Sequence, residues 1–449
     1  MSATRGTLDS LLKDFYLGPV VEQLNNEMLV LQMYEKMSVD WSGRQTIIPI
    51  HTNRSSRSGN AVGFVAENTG AGGTDLPTAE NQVYNNLTVT AVYLYGTFRI
   101  SGPAVASAKN GGKGAFIGWM EAEMDKLVTD VKNAADNQMV NGGDILGFIT
   151  SSTNSATHLF TGDYGSVAPG DTVDLHIGWG PGFNSAGAAI NDDYLVRQTA
   201  GVTVAAGGVN EQAGTLTFTV AQNTTVANFN MAASGQPVVV RAASGLAAAQ
   251  AEPVGIMTNL FGGSTGTTAA GVMEHFGVLR SGTTRAVALD SLAMCSQETP
   301  SAAGLEDLTV ERLQRVLDEI SVLSGEEPNV LICHPSIRSN YVSLLTGTGL
   351  YATSRGSATK GDGGFLDLSF GNIPIKFSRH CPRGMVIFMN TKTWKLLQLQ
   401  SGGFADLDGT TILRANGQDA WEGFYRWYYN TVCVRPNANG VLVGVNVWT

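Results

Sequence analysis

GAFIGWMEAEMDKLVTDVKNAADNQMV, residues Gly114–Val140, is the stretch on which the fold turns. Phe116, Met120, Met124, Leu127, Val131 and Ala135 step by three or four along it, one continuous apolar stripe at helical period. Glu121, Glu123, Asp125, Asp130 and Asp136 fall mostly off that stripe, and Gly142 with Gly143 supplies a stop. At ~1.5 Å per residue this is a rod of roughly 40 Å, long for a globular protein. The flanks on both sides read as strands, so the chain is α+β in class.

Upstream, residues 41–108 read as a long hairpin-like excursion. TIIPI (Thr46–Ile50) and NLTVTAVYLYGTFRI (Asn86–Ile100) carry the β-branched and aromatic enrichment of strands. Between them, HTNRSSRSGNAVGFVAENTGAGGTDLPTAEN (His51–Asn81) is polar and rich in Gly, Ser and Asn. It cannot build a core of its own and is either disordered or ordered by a partner. The first 40 residues form an arm with one helix, in LGPVVEQLNNEMLVLQMYEK (Leu17–Lys36). Pro19 suits a first helical position, and Val20, Leu24, Met28 and Leu31 share a face. Burying each of the four contributes roughly 1.5–3 kcal/mol, and another subunit is the expected cover.

Downstream, composition shifts at 151–253, a span without Lys. GVTVAAG (Gly201–Gly207), AGTLTFTV (Ala213–Val220) and QPVVVRAAS (Gln236–Ser244) alternate β-formers with small residues, which predicts an inserted barrel or sandwich. PGDTVDLHI (Pro169–Ile177) reads as its first turn and strand. The last third is α/β in character. Thr309 caps a helix carrying Leu313, Leu317, Ile320 and Leu323, ended by Gly325. Strand NVLICH (Asn329–His334), a helix through Tyr341–Leu345, and strands IPIKFS, GMVIFMN and TWKLLQL follow. GFYRWYYNTVCVRPNANGVLVGVNV (Gly423–Val447) reads as a strand pair around an Asn/Gly turn.

The bulk numbers fit a large assembly component. A chain of 449 residues suggests about three domain-sized units. Hydrophobic residues make up 43%, enough for buried cores, but charged ones only 15% against a typical ~25%, so much of the outer surface is expected to meet other chains. The formal charge of −10 argues against gripping nucleic acid, whose phosphates are held largely by Lys and Arg, yet allows DNA to be enclosed. Cys295, Cys333, Cys381 and Cys433 stand far apart, as buried reduced thiols would. Neither an export signal nor an apolar run of ~18 residues is found, so the expectation is a chain made in a reducing cytoplasm without a membrane partner.

The order of these parts resembles the major capsid proteins of tailed double-stranded-DNA bacteriophages, with their Hong Kong 97-type fold. The resemblance rests on FYLGPVVEQLNNE (Phe15–Glu27), YGTFRISGPAVASAKNGGKGAF (Tyr95–Phe116), ICHPSIRSNYVSLL (Ile332–Leu345), FGNIPIKFSRHCPRGMVIFMNTKTWKLLQL (Phe370–Leu399) and WEGFYRWYYNTVCVRPNANGVL (Trp421–Leu442). It implies an N-terminal arm (1–40), an extended loop (41–108), a spine helix opening a peripheral domain (109–150), an inserted β-rich domain (151–255), a return to the peripheral domain (256–304), an axial domain (305–415) and closing strands (416–449). Such subunits ring into hexamers and pentamers that close an icosahedral shell, in repeated heterologous contacts. The implied partners are further copies of the chain, a scaffolding protein, a portal and in some members a cement protein, around double-stranded DNA held without sequence-specific binding. Leu24, Met28, Arg54, Arg57 and Glu67 are the expected subunit contacts.

Three departures from the family pattern carry expectations. No Lys lies between Lys36 and Lys109, so the loop lacks the nucleophile of the Lys–Asn isopeptide bond that welds some shells. No long acidic helical region precedes the arm, which favours a separate scaffolding protein. The insertion exceeds the minimal fold and would decorate the exterior or strengthen contacts between capsomers.

Chemical motifs are weak by comparison, and no enzyme, cofactor or metal is expected. GGSTG (Gly262–Gly266) fits the nucleophile-elbow pattern around Ser264, with Asp307 and His334 or His380 as nominal partners. In a chain this rich in Gly, Ser and Thr, a flexible turn is the plainer reading. The six histidines never form HxH or HxxxH pairs, and ADLDGTT, with Asp406, Asp408 and Gly409, misses calcium-loop spacing. No phosphate-binding Gly-rich motif occurs. The alternative of the same fold is an encapsulin-type bacterial compartment. A secreted esterase using Ser264 and a tail or fibre protein are rivals from other classes.

Overall fold

The computed structural model describes residues 28–35, 38–53, 83–103, 113–143, 145–149, 154–162, 164, 167–177, 196–223, 238–241, 253–261, 274–279, 292–295, 307–347, 368–406, 412–414, 417–443 and 445–446. Helix α1 (Leu29–Glu35) precedes strands β1 (Ser38–Asp40), β2 (Gln45–Asn53), β3 (Val83–Thr90) and β4 (Val92–Ser101), then the long helix α2 (Lys113–Asn141). Next come β5 (Ile145–Ile149), β6 (Asn154–Gly162), β7 (Thr172–Ile177), β8 (Val196–Asn210), β9 (Thr215–Asn223) and β10 (Val238–Arg241). Helix α3 (Ile256–Phe261), β11 (Glu274–His275), β12 (Val278–Leu279) and β13 (Leu292–Cys295) lead to α4 (Val310–Ser324). Then follow β14 (Val330–Cys333), α5 (Pro335–Gly347), β15 (Ser369–Phe370), β16 (Ile373–Phe377) and β17 (Val386–Met389). The last strands are β18 (Trp394–Phe404), β19 (Leu413–Arg414), β20 (Ala420–Cys433) and β21 (Gly440–Val443).

The expected strand Asn86–Ile100 is two strands, divided at Ala91. β3 pairs with β2, Leu87 opposite Ile48, whereas β4 pairs with β20, Gly96 opposite Tyr425. In β4, Val92, Phe98 and Ile100 are buried while Tyr93 and Tyr95 face outward, the period-2 pattern of a sheet with one wet face. Helix α2 packs on the inner face. At Gly96 an added Cβ would lie 2.5 Å from Val131 Cγ2, so glycine sets how closely strand and helix approach. Val131, Ala135 and Met139 of α2 share a core with Trp394, Tyr425, Trp427 and Tyr429. α1 adds Val30, Leu31 and Tyr34 to that core, so in this part of the arm the cover for its apolar face is the chain itself.

The six-stranded sheet runs β13-β21-β17-β14-β16-β15. Its strands VLIC, VIFM and GVLV are continuous apolar runs because both faces are covered. Ile332, Ile387 and Val441 join the core of α2, and Leu331, Phe388 and Leu442 join that of α4 and α5. The caps of α4 are those the residue types predict: Thr309 accepts from Arg312 N at 3.3 Å, and Gly325 sits at φ 71°.

The closing strand pair expected within Gly423–Val447 does not form. β20 pairs with β18, β19 and β4, while β21 pairs with β17 and β13, and the 3-10 turn Pro436–Ala438 passes the chain from one sheet to the other. A boundary at 415/416 therefore cuts across both sheets. β18, before it, belongs with β20, and β21, after it, belongs with β17.

The third body is a closed barrel, β10-β5-β6-β9-β8-β7, filled by Leu146, Ile149, Phe160, Val173, Leu175, Val204, Leu216, Phe218 and Val239 among others. It begins at Ile145, ahead of the boundary at 151, so Thr172–Ile177 is its third strand and not its first. The run ILGFI shows no apolar–polar alternation, which hid it behind the helix stop. The barrel's two connections meet: Gly255 N donates to Gly142 O at 3.0 Å, and a Cβ on Gly255 would lie 2.6 Å from Gly142 N. Thr258 Oγ1 also donates to Gly142 O, at 2.8 Å.

Candidate assembly surfaces and the cleft beside the barrel

On the outer face of the β4–β20 pair, alternation places Tyr93 and Tyr95 beside Phe424 and Tyr428. The Tyr95 and Tyr428 hydroxyls are 2.9 Å apart, and that hydrogen bond is the first cause of Tyr95's raised pKa. The Tyr93 and Tyr428 rings meet edge-on at 4.9 Å between centroids. Tyr93 and Tyr95 remain 58% and 51% exposed. A contiguous patch with apolar bodies and polar tips is the composition that protein interfaces favour. Ile47 and Tyr84 on the β2–β3 ribbon and Val322 on α4 are exposed as well. The Y-x-Y repeat in VYLYG was the sequence signal for the patch, but its partner strand lies more than three hundred residues away.

A second feature is a cleft of about 220 Å³ where α2, the barrel and the loop after β16 meet. His334 lies at the start of α5, its Nδ1 accepting from Ser336 N at 3.1 Å and hydrogen-bonded to Ser336 Oγ at 2.7 Å. Burial first, then the guanidinium groups of Arg383 and Arg379, lowers its pKa to about 4. Arg383 Nη1 donates to Glu211 O of the barrel at 3.3 Å, while its Nε is 4.0 Å from Glu211 Oε1. His380 Nε2 bonds Asn133 Oδ1 at 3.1 Å and lies 3.7 Å from Asp136 Oδ2. Asp136, which periodicity places with the acids off the stripe, is wholly buried, and its Oδ1 accepts from Leu31 N of α1 at 2.6 Å. One carboxylate thus ties the arm helix to α2 and faces the loop histidine.

Of the expected contacts, Leu24, Arg54, Arg57 and Glu67 lie outside the described residues, as do the extended-loop tip, Ser264 and Asp408. Met28 is half-buried against its own chain's core. The nominal triad partners are engaged separately: Asp307 Oδ1 accepts from Asn446 Nδ2 at 3.1 Å, His334 bonds Ser336, and His380 bonds Asn133. Among the described residues no group of three or more His, Cys, Asp or Glu is placed to hold a metal ion, and no described helix is long and apolar enough to cross a membrane. Cys333, Cys381 and Cys433 are buried free thiols, and burial pushes Cys333 up to about 12.

Neither a family model nor a curated protein sequence matches the chain. Solved structures do. A chain of the cyanophage A-1(L) capsid asymmetric unit matches over 99% of this chain and 99% of its own, with a TM-score of 0.58 at 12% identity. A chain from the capsid of the native GTA particle matches over 99% and 100%, with a TM-score of 0.49 at 8% identity. One from the holo-SrpI encapsulin complex of Synechococcus elongatus matches 35% of this chain and 54% of its own, with a TM-score of 0.26 at 14% identity. The first of these establishes that the mixed α+β chain has, from end to end, the fold of a phage capsid protein.

Proposed function

We propose that the chain is the major capsid protein of a tailed, double-stranded-DNA bacteriophage, a structural subunit and not an enzyme. The observation that carries this reading is the likeness to a cyanophage capsid chain over 99% of both chains. In this reading subunits ring into hexamers and pentamers and close an icosahedral head around the genome. Many modest contacts act together, so each chain is held in several places without one tight interface.

The parts then take their roles from the fold. α2 serves as the spine helix, and the five-stranded sheet it backs forms the peripheral domain. The six-stranded sheet with α4 and α5 forms the axial domain. The β2–β3 ribbon is the base of the extended loop, and the barrel is the inserted domain. Leu24, Arg54, Arg57, Glu67 and the outer part of Met28 are proposed contacts with neighbours, and the Tyr93–Tyr95–Tyr428 patch joins them. Scaffolding, portal and cement proteins are the proposed partners, assembly takes place in the host cytoplasm, and the virion is the final location. The net charge of −10 suits enclosure of DNA without a grip on its sequence.

Negative-stain electron microscopy of the recombinant chain, co-expressed with its genomic neighbours, tests the proposal. Closed, uniform polyhedral shells are expected. A stable monomer or small oligomer under every condition would end it, and shells loaded with an enzyme cargo would move the chain to the encapsulin-type alternative.

A further inference from the structure

The cleft beside the barrel runs against the charge of the chain around it. The protein carries a formal −10, yet two guanidinium groups, Arg379 and Arg383, line this one cleft with two imidazoles, His334 and His380. Among the described residues the carboxylate lining it is Glu211, 63% exposed and beyond hydrogen-bond reach of Arg383 Nε at 4.0 Å. Asp136 approaches the cleft histidine His380 from α2, its Oδ2 3.7 Å from Nε2 while its Oδ1 accepts from Leu31 N.

Two details point to an occupant that accepts hydrogen bonds. Arg383 Nε is buried and has no hydrogen-bond partner, a state that polar groups in folded proteins rarely keep. His334 Nδ1 accepts from Ser336 N, so the neutral imidazole carries its proton on Nε2 as a further donor. A cleft of about 220 Å³ holds several waters, at ~30 Å³ each in the liquid, or one tetrahedral oxyanion with a few waters. Planar guanidinium forks match phosphate oxygens in pairs.

We propose that this cleft is an oxyanion site, binding a phosphate-class anion through Arg379, Arg383 and His334 at the seam between the barrel and the axial loop. Bound there, the anion neutralises the two guanidinium charges that line the cleft. The phosphate group could come from free phosphate or from a phosphodiester of nucleic acid. The small volume, about 220 Å³, favours the free anion over a duplex backbone.

Isothermal calorimetry on the purified full chain tests this, with inorganic phosphate titrated into chloride buffer at matched ionic strength. One phosphate per chain is expected. Arg379→Gln and Arg383→Gln should each weaken binding at least tenfold, while Arg426→Gln, on the tyrosine face, should leave it unchanged. A second arm titrates a short duplex DNA at equal phosphate concentration. Competition with phosphate that is lost in both cleft variants would identify a phosphodiester as the source of the same chemistry. No saturable heat with either probe, or binding undiminished when Arg379→Gln and Arg383→Gln are combined, overturns the proposal. Should one variant fail to fold, the other still decides, because Arg379 is exposed. The titration reads the cleft in free subunits and in shells alike, so its result is independent of the assembly reading.

Discussion

Asn439→Ala should destabilise the protein by about 2–6 kcal/mol, from the loss of one amide. Asn439 is fully buried on the turn that passes the chain from β20 to β21. Its Oδ1 accepts from Asn390 N at 2.7 Å and from Trp394 Nε1 at 2.9 Å. Asn390 and Trp394 flank the other crossing between the same two sheets, from β17 to β18. Its Nδ2 donates to Thr393 Oγ1 at 3.0 Å and to Arg435 O at 3.1 Å. Alanine removes the shared acceptor and leaves two buried donors, each costing ~1–3 kcal/mol when unsatisfied. The lost acceptors matter less, since Thr393 Oγ1 keeps its own bond to Asn390 O at 2.8 Å. Asn437→Ala is the internal control. Asn437 sits on the same turn, where its Oδ1 accepts from Arg435 Nε at 3.2 Å, so about 1 kcal/mol is expected. Urea unfolding of unassembled subunits, followed by tryptophan fluorescence, measures both. An Asn439→Ala loss no larger than that of Asn437→Ala would refute the claim that one amide joins the two crossings.

Gly96→Ala should cost about 1–3 kcal/mol by overpacking, because the new Cβ meets Val131 Cγ2 at 2.5 Å. Val131→Ala in the same chain should recover part of that loss, and additive losses in thermal unfolding would count against direct contact. Acid should weaken the fold through His334. Between the ordinary 6.5 and the folded value of about 4, the unfolded chain binds a proton that the folded chain refuses, so stability falls as pH drops through that window. His334→Gln should flatten that segment of a urea-midpoint profile, and an unchanged slope would remove His334 as its source. Finally, shells boiled in denaturant should run as single chains on a gel, since no Lys lies between Lys36 and Lys109; a ladder of covalent oligomers would contradict this.

What the sequence made legible is local in origin. Helix α4 was readable to its ends because its signals are all near neighbours: a cap at Thr309, a stripe through Ile320 and a left-handed glycine at 325. The long helix α2 was readable for the same reason. The β-branched and aromatic enrichment of NLTVTAVYLYGTFRI marked strand, but neither the break at Ala91 nor which strand lies alongside. β1 illustrates the limit, since it pairs in parallel with β18, Ser38 opposite Leu396, across a separation that no periodicity spans. The cleft was equally hidden. His334, Arg379 and Arg383 fall within one region of sequence, but Asn137 and Glu211 come from a helix and a barrel that only the fold brings to them.

The error over the closing strands shows where the missing information resides. Asn and Gly after a strand suggest a tight turn, and in Arg435–Gly440 that reading conflicts with the side-chain chemistry of the same residues. Arg435 bonds Glu326 Oε1 at 2.6 Å and also the Ser324 carbonyl at the end of α4. Glu326 Oε2 in turn accepts from Asn390 Nδ2 at 2.9 Å. A hairpin turn is satisfied by its own backbone, whereas this one is held by a helix end and by the neighbouring crossing. Asn259 and Asn430 do the same for the barrel's return. Asn430 Oδ1 accepts from Val254 N at 3.0 Å, and Asn259 Oδ1 accepts from Cys433 N at 3.0 Å. In this chain a buried asparagine marks a place where the path leaves one body for another, because backbone there has no ladder to join and a side-chain amide must supply both a donor and an acceptor. Local pattern cannot name the partners of such residues, which lie from 45 residues away, for Asn439 and Trp394, to 176, for Asn430 and Val254.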